Sequence, residues 1–181
     1  MERLALETPG VTKVEMWITA RGKARPAGQT AANDDDPINL RGVPVPGLTY
    51  RPQLKAGRWL GLDDSRAVVL NQELAQELDV TVGDWITVEI TGRRPTDWRV
   101  VGLLYEPVDQ AAALVPRAVL QRELGQVGRA DAVRLQTWPA TSSTEAAVAT
   151  SLQSQLEAQG FEVKASNQDT ASRLATYRVN Q

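Results

Sequence analysis

Alternation of hydrophobic and polar residues is clearest near the middle of the chain. Residues 86–90 place an apolar side chain at every second position, and residues 98–104 repeat this pattern after a polar turn at 92–96. Alternation on both sides of a turn predicts a β-hairpin with one buried face. Just before it, leucines recur every fourth residue over 70–78, which predicts a short helix with Asn71 as its N-cap.

The same patterns predict helices and strands on both sides of this hairpin. Short apolar or alternating runs predict strands at 11–20, 38–43, 67–70, 111–115, 132–138 and 161–165, and helical spacing predicts helices at 1–7, 116–124, 142–159 and 168–177. Ser142 and Glu145 have the spacing of a capping box, and Gly125 and Gly160 are suited to ending helices. Residues 21–37, rich in Gly, Pro, Ala and charge, predict a mobile loop.

The order of these elements predicts an α+β fold in two parts. Residues 132–165 form one β-α-β unit, whereas the two N-terminal strands have only a polar loop between them. The simplest assembly places residues 1–57 and 117–181, from the two chain ends, in one α+β layer. Residues 58–116 then form a β-rich insertion.

Composition excludes several kinds of chemistry. The 181 residues are 42% hydrophobic, carry a net charge of −2 and contain neither histidine nor cysteine. This argues against a thiol nucleophile, an imidazole base, a disulfide and a Cys/His zinc site. No segment carries the concentrated basic charge of a nucleic-acid-binding surface. The longest apolar run, Ala111 to Val115, is too short to cross a bilayer, so we expect a soluble chain without a signal peptide.

The polar residues offer weak candidates for catalysis or metal binding. The run Asp34-Asp35-Asp36 lacks the ligand spacing of a calcium loop, which favours a solvated charge run. The carboxylate pairs Asp63/Asp64 and Glu106/Asp109 could serve acid–base chemistry, and Ser65, Ser142 and Ser143 could serve as nucleophiles. No nucleophile motif accompanies them, so turn and cap roles are favoured, and no cofactor is predicted.

Three tryptophans are candidates for a partner or substrate surface. Trp17 lies on the polar face of its strand, where exposure would indicate binding and burial a structural role. Trp98 lies in the hairpin. Trp59 lies between glycines and could stack on a ligand, although a core position is favoured for such a residue.

The ordered motifs of the chain resemble the extracytoplasmic core domain of FtsX-like ABC transporter permeases, named after the MacB periplasmic core domain. The resemblance rests on Pro9-Gly10-Val11, Ala56-Gly57-Arg58-Trp59, Ala67-Val68-Val69-Leu70-Asn71 with Leu74-Ala75, Val82-Gly83-Asp84 and Trp98-Arg99-Val100-Val101-Gly102. No single motif is specific, but their order and spacing extend over essentially the whole chain.

The resemblance implies a porter-like α+β subdomain made from both chain ends and an inserted β-rich subdomain called Sabre. It implies a place on the periplasmic or extracellular face of the membrane, between the first and second transmembrane helices of a permease. It also implies a non-catalytic, mechanical role, driven by an ABC ATPase and shared with a second permease subunit, and in some members with a periplasmic protein partner.

An alternative function stays open at this point. The hairpin and the five tryptophans are also compatible with a stand-alone β-rich module that binds a ligand or a protein. Association is a separate expectation: if membrane helices hold the permease pair together, the isolated domain is a monomer or weak dimer.

Overall fold

A computed structural model describes residues 1–30, 36–50, 52–164, 168–169 and 174–180 of the chain. Within these ranges the helices are α1 (Glu2–Glu7), α2 (Gln72–Glu77), α3 (Arg117–Leu124) and α4 (Ser142–Ala158). The strands are β1 (Val11–Pro26), β2 (Asp36–Val43), β3 (Gln53–Gly57), β4 (Ala67–Asn71), β5 (Trp85–Ile90), β6 (Thr96–Tyr105), β7 (Ala112–Pro116), β8 (Ala132–Thr137), β9 (Glu162–Lys164), β10 (Gln168–Asp169) and β11 (Leu174–Asn180). The predicted α+β class is confirmed. In the described residues, no helix combines the length and the apolar character needed to span a membrane.

The chain divides into two compact units, each with its own core. Unit 1 comprises Met1–Trp17, Gly47–Tyr50 and Ala130–Gln181, and unit 2 comprises Ile18–Pro46 and Arg51–Arg129. The sequence placed the boundaries after residues 57 and 116 instead. The difference arises because the second half of β1, all of β2 and α3 pack in unit 2, where strand pairing across the sequence places them.

Unit 1 is an antiparallel sheet with helices packed on it. Strand β8 pairs with the first part of β1 on one side and with β11 on the other, and β11 also pairs with β9 and β10. Helix α4 buries the residues that its four-residue spacing predicts, and α1 adds Ala5. The core consists of Ala5, Val14, Met16, Val133, Leu135, Val148, Leu152 and Leu156.

Unit 2 is built around a closed ring of six strands. The second part of β1 pairs with β2, which pairs with β7, followed by β4, β6 and β5, and β5 pairs back with β1. Such a ring is a small β-barrel, whose interior is filled by side chains. Its core includes Ile18, Ala24, Ile38, Leu40, Val68, Leu70, Ile86, Val88, Trp98, Val100, Ala113 and Val115, with residues of α2 and α3 packed against them. Strand β3 pairs with β6 outside the ring.

The predicted hairpin is confirmed and forms one side of this barrel. Strands β5 and β6 are antiparallel, with Ile86 opposite Trp98 and Val88 opposite Thr96. The alternating apolar side chains of both strands are buried, as the pattern indicated. The hairpin therefore supplies the barrel with two adjacent strands.

Two of the predicted elements are wrong. The predicted loop at 21–37 is partly strand, because β1 continues to Pro26 and pairs there with β2 and β5, although residues 21–26 contain no large apolar side chain. The predicted helix at 168–177 is replaced by strands β10 and β11, because residues 175–178 pair with the edge of β8. This pairing outweighs local helical preference. Asp34 and Asp35 lie outside the described residues.

Two predicted helix caps are also corrected. Asn71 precedes α2, but its side-chain nitrogen donates to the carbonyl oxygens of Glu106 (2.7 Å) and Asp109 (2.9 Å) instead of its oxygen capping the helix. Thr141, one residue before the predicted cap, accepts from the amide of Thr144 at 3.2 Å and begins α4. The predicted glycine ends are confirmed, since Gly125 has a φ of 65° and Gly160 one of 84°.

Candidate functional site

A buried carboxylate lies in the first part of β1. Glu15 is only 3% exposed, and each of its oxygens accepts hydrogen bonds from unit 1. One oxygen accepts from the amides of Leu48 and of Thr49, the latter at 2.9 Å. The other accepts from the Thr49 hydroxyl and from the Trp17 indole nitrogen at 3.2 Å. Four donors therefore converge on one buried charge.

A buried arginine lies beside this carboxylate. Arg134 of β8 is directly opposite Glu15 in the strand register, and only 4% of it is exposed. Its guanidinium carbon lies 4.7 Å from the ring centroid of Trp17 and 4.7 Å from that of Tyr50. The two rings meet edge to face, with centroids 5.4 Å apart. The cation therefore lies on two aromatic faces, an arrangement that stabilises a desolvated charge.

Two opposing effects determine the ionisation of Glu15. Burial raises its pKa because a charge is costly away from water. Hydrogen bonds from the Thr49 hydroxyl, the Thr49 and Leu48 amides and the Trp17 indole lower it, and together they outweigh burial. The pKa of Glu15 therefore lies below its ordinary value of 4.5, and the group is a carboxylate at neutral pH.

These residues contact a short segment of chain that enters unit 1 from unit 2 and then returns to unit 2. Gly47–Tyr50 belongs to unit 1, whereas the chain on either side of it belongs to unit 2. We call Glu15, Trp17, Thr49, Tyr50 and Arg134 the Glu15 cluster. Through hydrogen bonds and ring contacts it binds this segment to β1 and β8. Gly47–Tyr50 is thus held in unit 1 although it lacks regular secondary structure.

The three tryptophans proposed for a partner surface lie mostly inside the protein. Trp17 is 3% exposed and belongs to the Glu15 cluster. Trp98 is fully buried in the barrel core, where its indole nitrogen donates to the Thr96 hydroxyl at 2.8 Å. For Trp17, burial is the outcome that indicates a structural role, and the fully buried Trp98 is likewise not accessible to a partner. Trp59 is half-buried.

The exposed tryptophans are two that sequence reasoning did not single out. Trp85 is 50% exposed at the start of β5, and Trp138 is 73% exposed after β8. Their position at strand ends, next to turn residues, is the signal that could have identified them. Aromatic residues that remain accessible are typical of contact surfaces.

Two sequence motifs meet where β3 ends beside β6. Gly57 has a φ of 70°, and a Cβ there would lie 2.3 Å from the carbonyl oxygen of Val101. A Cβ on Gly102 would lie 2.3 Å from the carbonyl oxygen of Arg58. The two backbones therefore approach so closely that both positions require glycine. This explains the pairing of the Ala56–Trp59 and Trp98–Gly102 motifs.

An ion pair closes the loop that carries Trp59. Both terminal nitrogens of Arg58 contact the Asp64 carboxylate at 2.8 Å, and the Gly61 amide donates to it at 2.7 Å. The Arg58 hydrogen bond lowers the pKa of Asp64, against a smaller opposing effect of burial. Leu62 at the tip is 76% exposed.

The candidate catalytic residues either accept hydrogen bonds from neighbouring side chains or lie exposed in turns and at a helix start. Asp64 is bound by Arg58, and Asp109 accepts from Arg41 and, at 2.9 Å, from Asn39. Asp63 is exposed in the loop beside Asp64. Ser65, Ser142 and Ser143 are likewise exposed in a turn or in the first turn of α4. Among the described residues, no group of three acidic side chains could hold a metal ion.

Comparison with known proteins identifies a family for this chain. The model of the MacB-like periplasmic core domain matches residues 1–174. No curated protein matches. The extracellular domain of the noncanonic ABC-type transporter YknZ from Gram-positive bacteria is 17% identical, with a TM-score of 0.61 over 99% of this chain and 87% of that one.

Two further solved structures share the fold. The periplasmic region of MacB from Actinobacillus actinomycetemcomitans is 19% identical, with a TM-score of 0.57 over 85% of this chain and 72% of that one. A domain of a putative permease protein from Porphyromonas gingivalis is 14% identical, with a TM-score of 0.53 over 98% of this chain and 80% of that one.

Proposed function

This chain belongs to the MacB-like periplasmic core domain family, and from that membership we propose that it transmits movement of a permease's transmembrane helices to a surface outside the membrane. It is an extracytoplasmic domain of an ABC transporter permease, on the periplasmic or extracellular face of the membrane. Such permeases work with ATPase subunits. In our proposal ATP hydrolysis in the cytoplasm supplies the movement, and the domain itself is not a catalyst.

The division of the chain supports this mechanical role. The backbone passes between the two units four times, after Trp17, Pro46, Tyr50 and Arg129. Movement of one unit therefore reaches the other through four covalent connections. In our proposal unit 1 receives the movement, a second permease subunit moves in concert with it, and unit 2 presents the surface that contacts substrate or a periplasmic protein.

The Glu15 cluster is the observation that carries the proposal. It includes Trp17, Thr49 and Tyr50, and its carboxylate accepts from the Leu48 amide. In our proposal it therefore fixes the unit 1 side of three of the four connections, those after Trp17, Pro46 and Tyr50. The amide of Asp131, beside the fourth, donates to the Trp17 carbonyl oxygen at 3.0 Å. Ends fixed in one rigid cluster transmit displacement better than independent flexible ends would.

Hydrogen exchange in the complete permease tests this function. The permease and its ATPase are reconstituted in lipid nanodiscs, and amide exchange is measured by mass spectrometry with ADP and with ATP plus vanadate. We expect the nucleotide to change exchange in peptides of both units in the wild type. In the Glu15→Ala variant we expect the change in unit 1 to persist and the change in unit 2 to fall at least threefold.

Glu145→Ala is the matched control, because Glu145 is a partly exposed carboxylate of α4 in unit 1, outside the Glu15 cluster. It should respond as the wild type does. A wild-type permease in which nucleotide changes exchange in neither unit would refute the coupling function. Equal responses of unit 2 in the wild type and in Glu15→Ala would remove the Glu15 cluster from the mechanism.

A further inference from the structure

Helix α3 holds the unit 2 end of the fourth connection between the units, the one after Arg129. Residues 125–129 lead from α3 to Arg129, the last residue of unit 2, and have no regular secondary structure. Gln121 of α3 is buried, and its side-chain nitrogen donates to the Arg129 carbonyl oxygen at 2.5 Å. The Gln121 carbonyl oxygen accepts from the amide of Gln126 at 2.8 Å. One helical residue therefore binds both the start and the end of this segment.

Burial gives the hydrogen bond from Gln121 its importance. A side-chain amide removed from water is costly unless it is hydrogen-bonded. Release of Arg129 from α3 would leave the buried amide of Gln121 without this acceptor, and such a loss costs more than an exposed hydrogen bond would. We therefore expect residues 125–129 to stay on α3 when the fourth connection is displaced.

The barrel in turn holds α3. The helix begins directly after β7 and packs against β7 and β2, and its Val119 and Leu120 belong to the barrel core. It lies so close to β2 that a Cβ on Gly42 would be 3.2 Å from the Cα of Arg117. Displacement of α3 therefore acts directly on two strands of the ring.

An arginine joins the end of α3 to the β5–β6 hairpin. Arg93 lies in the turn between these strands, and its guanidinium donates to the carbonyl oxygen of Leu124, the last residue of α3. A cation is favoured at this position, because the end of a helix carries partial negative charge. Along the ring, β1 and β4 separate the hairpin from β2 and β7. Arg93 thus links α3 to a part of the barrel on which the helix does not lie.

We propose that α3 is the element through which movement of the fourth connection enters the barrel, with Gln121 and Arg93 as positioning residues. Gln121 keeps residues 125–129 on α3, and Arg93 passes displacement of α3 to the β5–β6 hairpin. This role rests on the proposed coupling function and gives it an order within unit 2: first the segment, then α3, then the hairpin.

Hydrogen exchange in the reconstituted permease tests this order. With the permease and its ATPase in lipid nanodiscs, the change in amide exchange from ADP to ATP plus vanadate is measured in α3 (117–124) and in the hairpin (85–105). Gln121→Met keeps the side-chain volume but cannot donate, and we expect the change to fall about twofold or more in both regions. In Arg93→Met we expect the change in α3 to persist and the change in the hairpin to fall by a similar factor.

Gln126→Met and Arg94→Met are the matched controls, because they alter an exposed glutamine of the same segment and an exposed arginine of the same turn. Both should respond as the wild type does. Arg93→Lys keeps a cationic donor and should restore most of the hairpin response. A merely structural role of Gln121 or Arg93 would raise exchange in both nucleotide states and leave the difference between the states unchanged.

Two outcomes would overturn the proposal while the wild type still responds in both units, which separates them from failure of the coupling function. One is an equal hairpin response in Arg93→Met and Arg94→Met, and the other is an equal response in Gln121→Met and Gln126→Met. A wild type without any nucleotide response would refute the coupling function and this role with it. If Gln121→Met does not fold, the comparison of Arg93→Met with Arg94→Met, which alters only exposed side chains, decides the matter.

Discussion

The Glu15 carboxylate accepts hydrogen bonds from two parts of unit 1, the 48–49 segment and Trp17. Burial of a carboxylate costs several kcal/mol unless charged and polar partners compensate for it. Here the Thr49 and Leu48 amides, the Thr49 hydroxyl and the Trp17 indole compensate, and Arg134 lies directly opposite. Loss of the charge would leave these buried donors with a poor acceptor. Glu15 is therefore a residue whose substitution reports on the whole cluster.

We expect Glu15→Gln to lower the free energy of unfolding by about 2 kcal/mol at pH 7, because buried donors lose a charged acceptor. The pKa of Glu15 is lower in the folded than in the unfolded chain, so its stabilisation is present above the ordinary value of 4.5 and is lost as pH falls through the folded pKa. The difference between wild type and variant should therefore shrink at acidic pH. Urea denaturation at a series of pH values measures it.

Glu7→Gln is the control for this titration. Glu7 pairs with Arg3 at 3.6 Å with both side chains exposed, and such pairs contribute little to stability. Its substitution should leave the unfolding free energy at pH 7 within about 0.5 kcal/mol of the wild type. A Glu15→Gln deficit that stays constant, or grows, between pH 7 and pH 3 would contradict the role assigned to the charge.

The sequence predicted the residues on this face of β1 but not their burial. Lys13, Glu15 and Trp17 follow the period of a strand, and two of the three are charged, which indicates a solvent-exposed face. Burial depends on Gly47–Tyr50 and on Arg134 of β8, which are brought there by the fold. Periodicity describes neighbours along the chain and contains no information about these distant partners. For the same reason the sequence left both a surface role and a structural role open for Trp17.

At the scale of elements, the contact of β3 with β6 depends on two glycines. Any side chain at Gly102 would meet the Arg58 carbonyl, and the same is true of Gly57 and Val101. Backbone atoms cannot move aside as the end of a flexible side chain can. The sequence supplied both motifs through a family resemblance, but only the structure gives the reason why they occur together.

We expect Gly102→Ala to destabilise the protein by about 3 kcal/mol, because one methyl group must push two strands apart. Gly92→Ala is the matched control: its φ is 77°, but no atom lies within 4 Å of the added Cβ. It should cost about 1 kcal/mol, from backbone conformation alone. Thermal and urea denaturation measure both, and equal losses in the two variants would show that close approach is not the cause.

Strand and helix prediction succeeded where a pattern is complete within one segment. The hairpin of β5 and β6 and the apolar side of α4 are both of this kind. It failed for residues 21–26, which have no alternating large apolar side chains. There β1 continues because β2 and β5 supply backbone partners on its two sides. It failed again at β11, where β8 supplies the partner. In both cases hydrogen bonds to distant strands decided the structure.

At the scale of the molecule, closure of the barrel is the property least accessible from sequence. The ring requires β2 to pair in parallel with β7 and β4 to pair in parallel with β6, across long separations in the chain. A pattern that predicts a β-rich region does not specify these pairs. The two cores that result share no residue, since the barrel core lies in unit 2 and the α4 core in unit 1.

Separate cores imply that damage to one unit should stay in that unit. Leu70 and Leu152 are both fully buried, the first in unit 2 and the second in unit 1, and truncation of a core leucine to alanine typically costs about 3 kcal/mol. We expect Leu152→Ala to accelerate amide exchange over 132–158 and leave 85–105 unchanged, and Leu70→Ala to do the reverse, in native-state hydrogen exchange by mass spectrometry. If each variant accelerated exchange in both ranges equally, the chain would unfold as one cooperative body, and the four connections would couple the stabilities of the units as well as their movements.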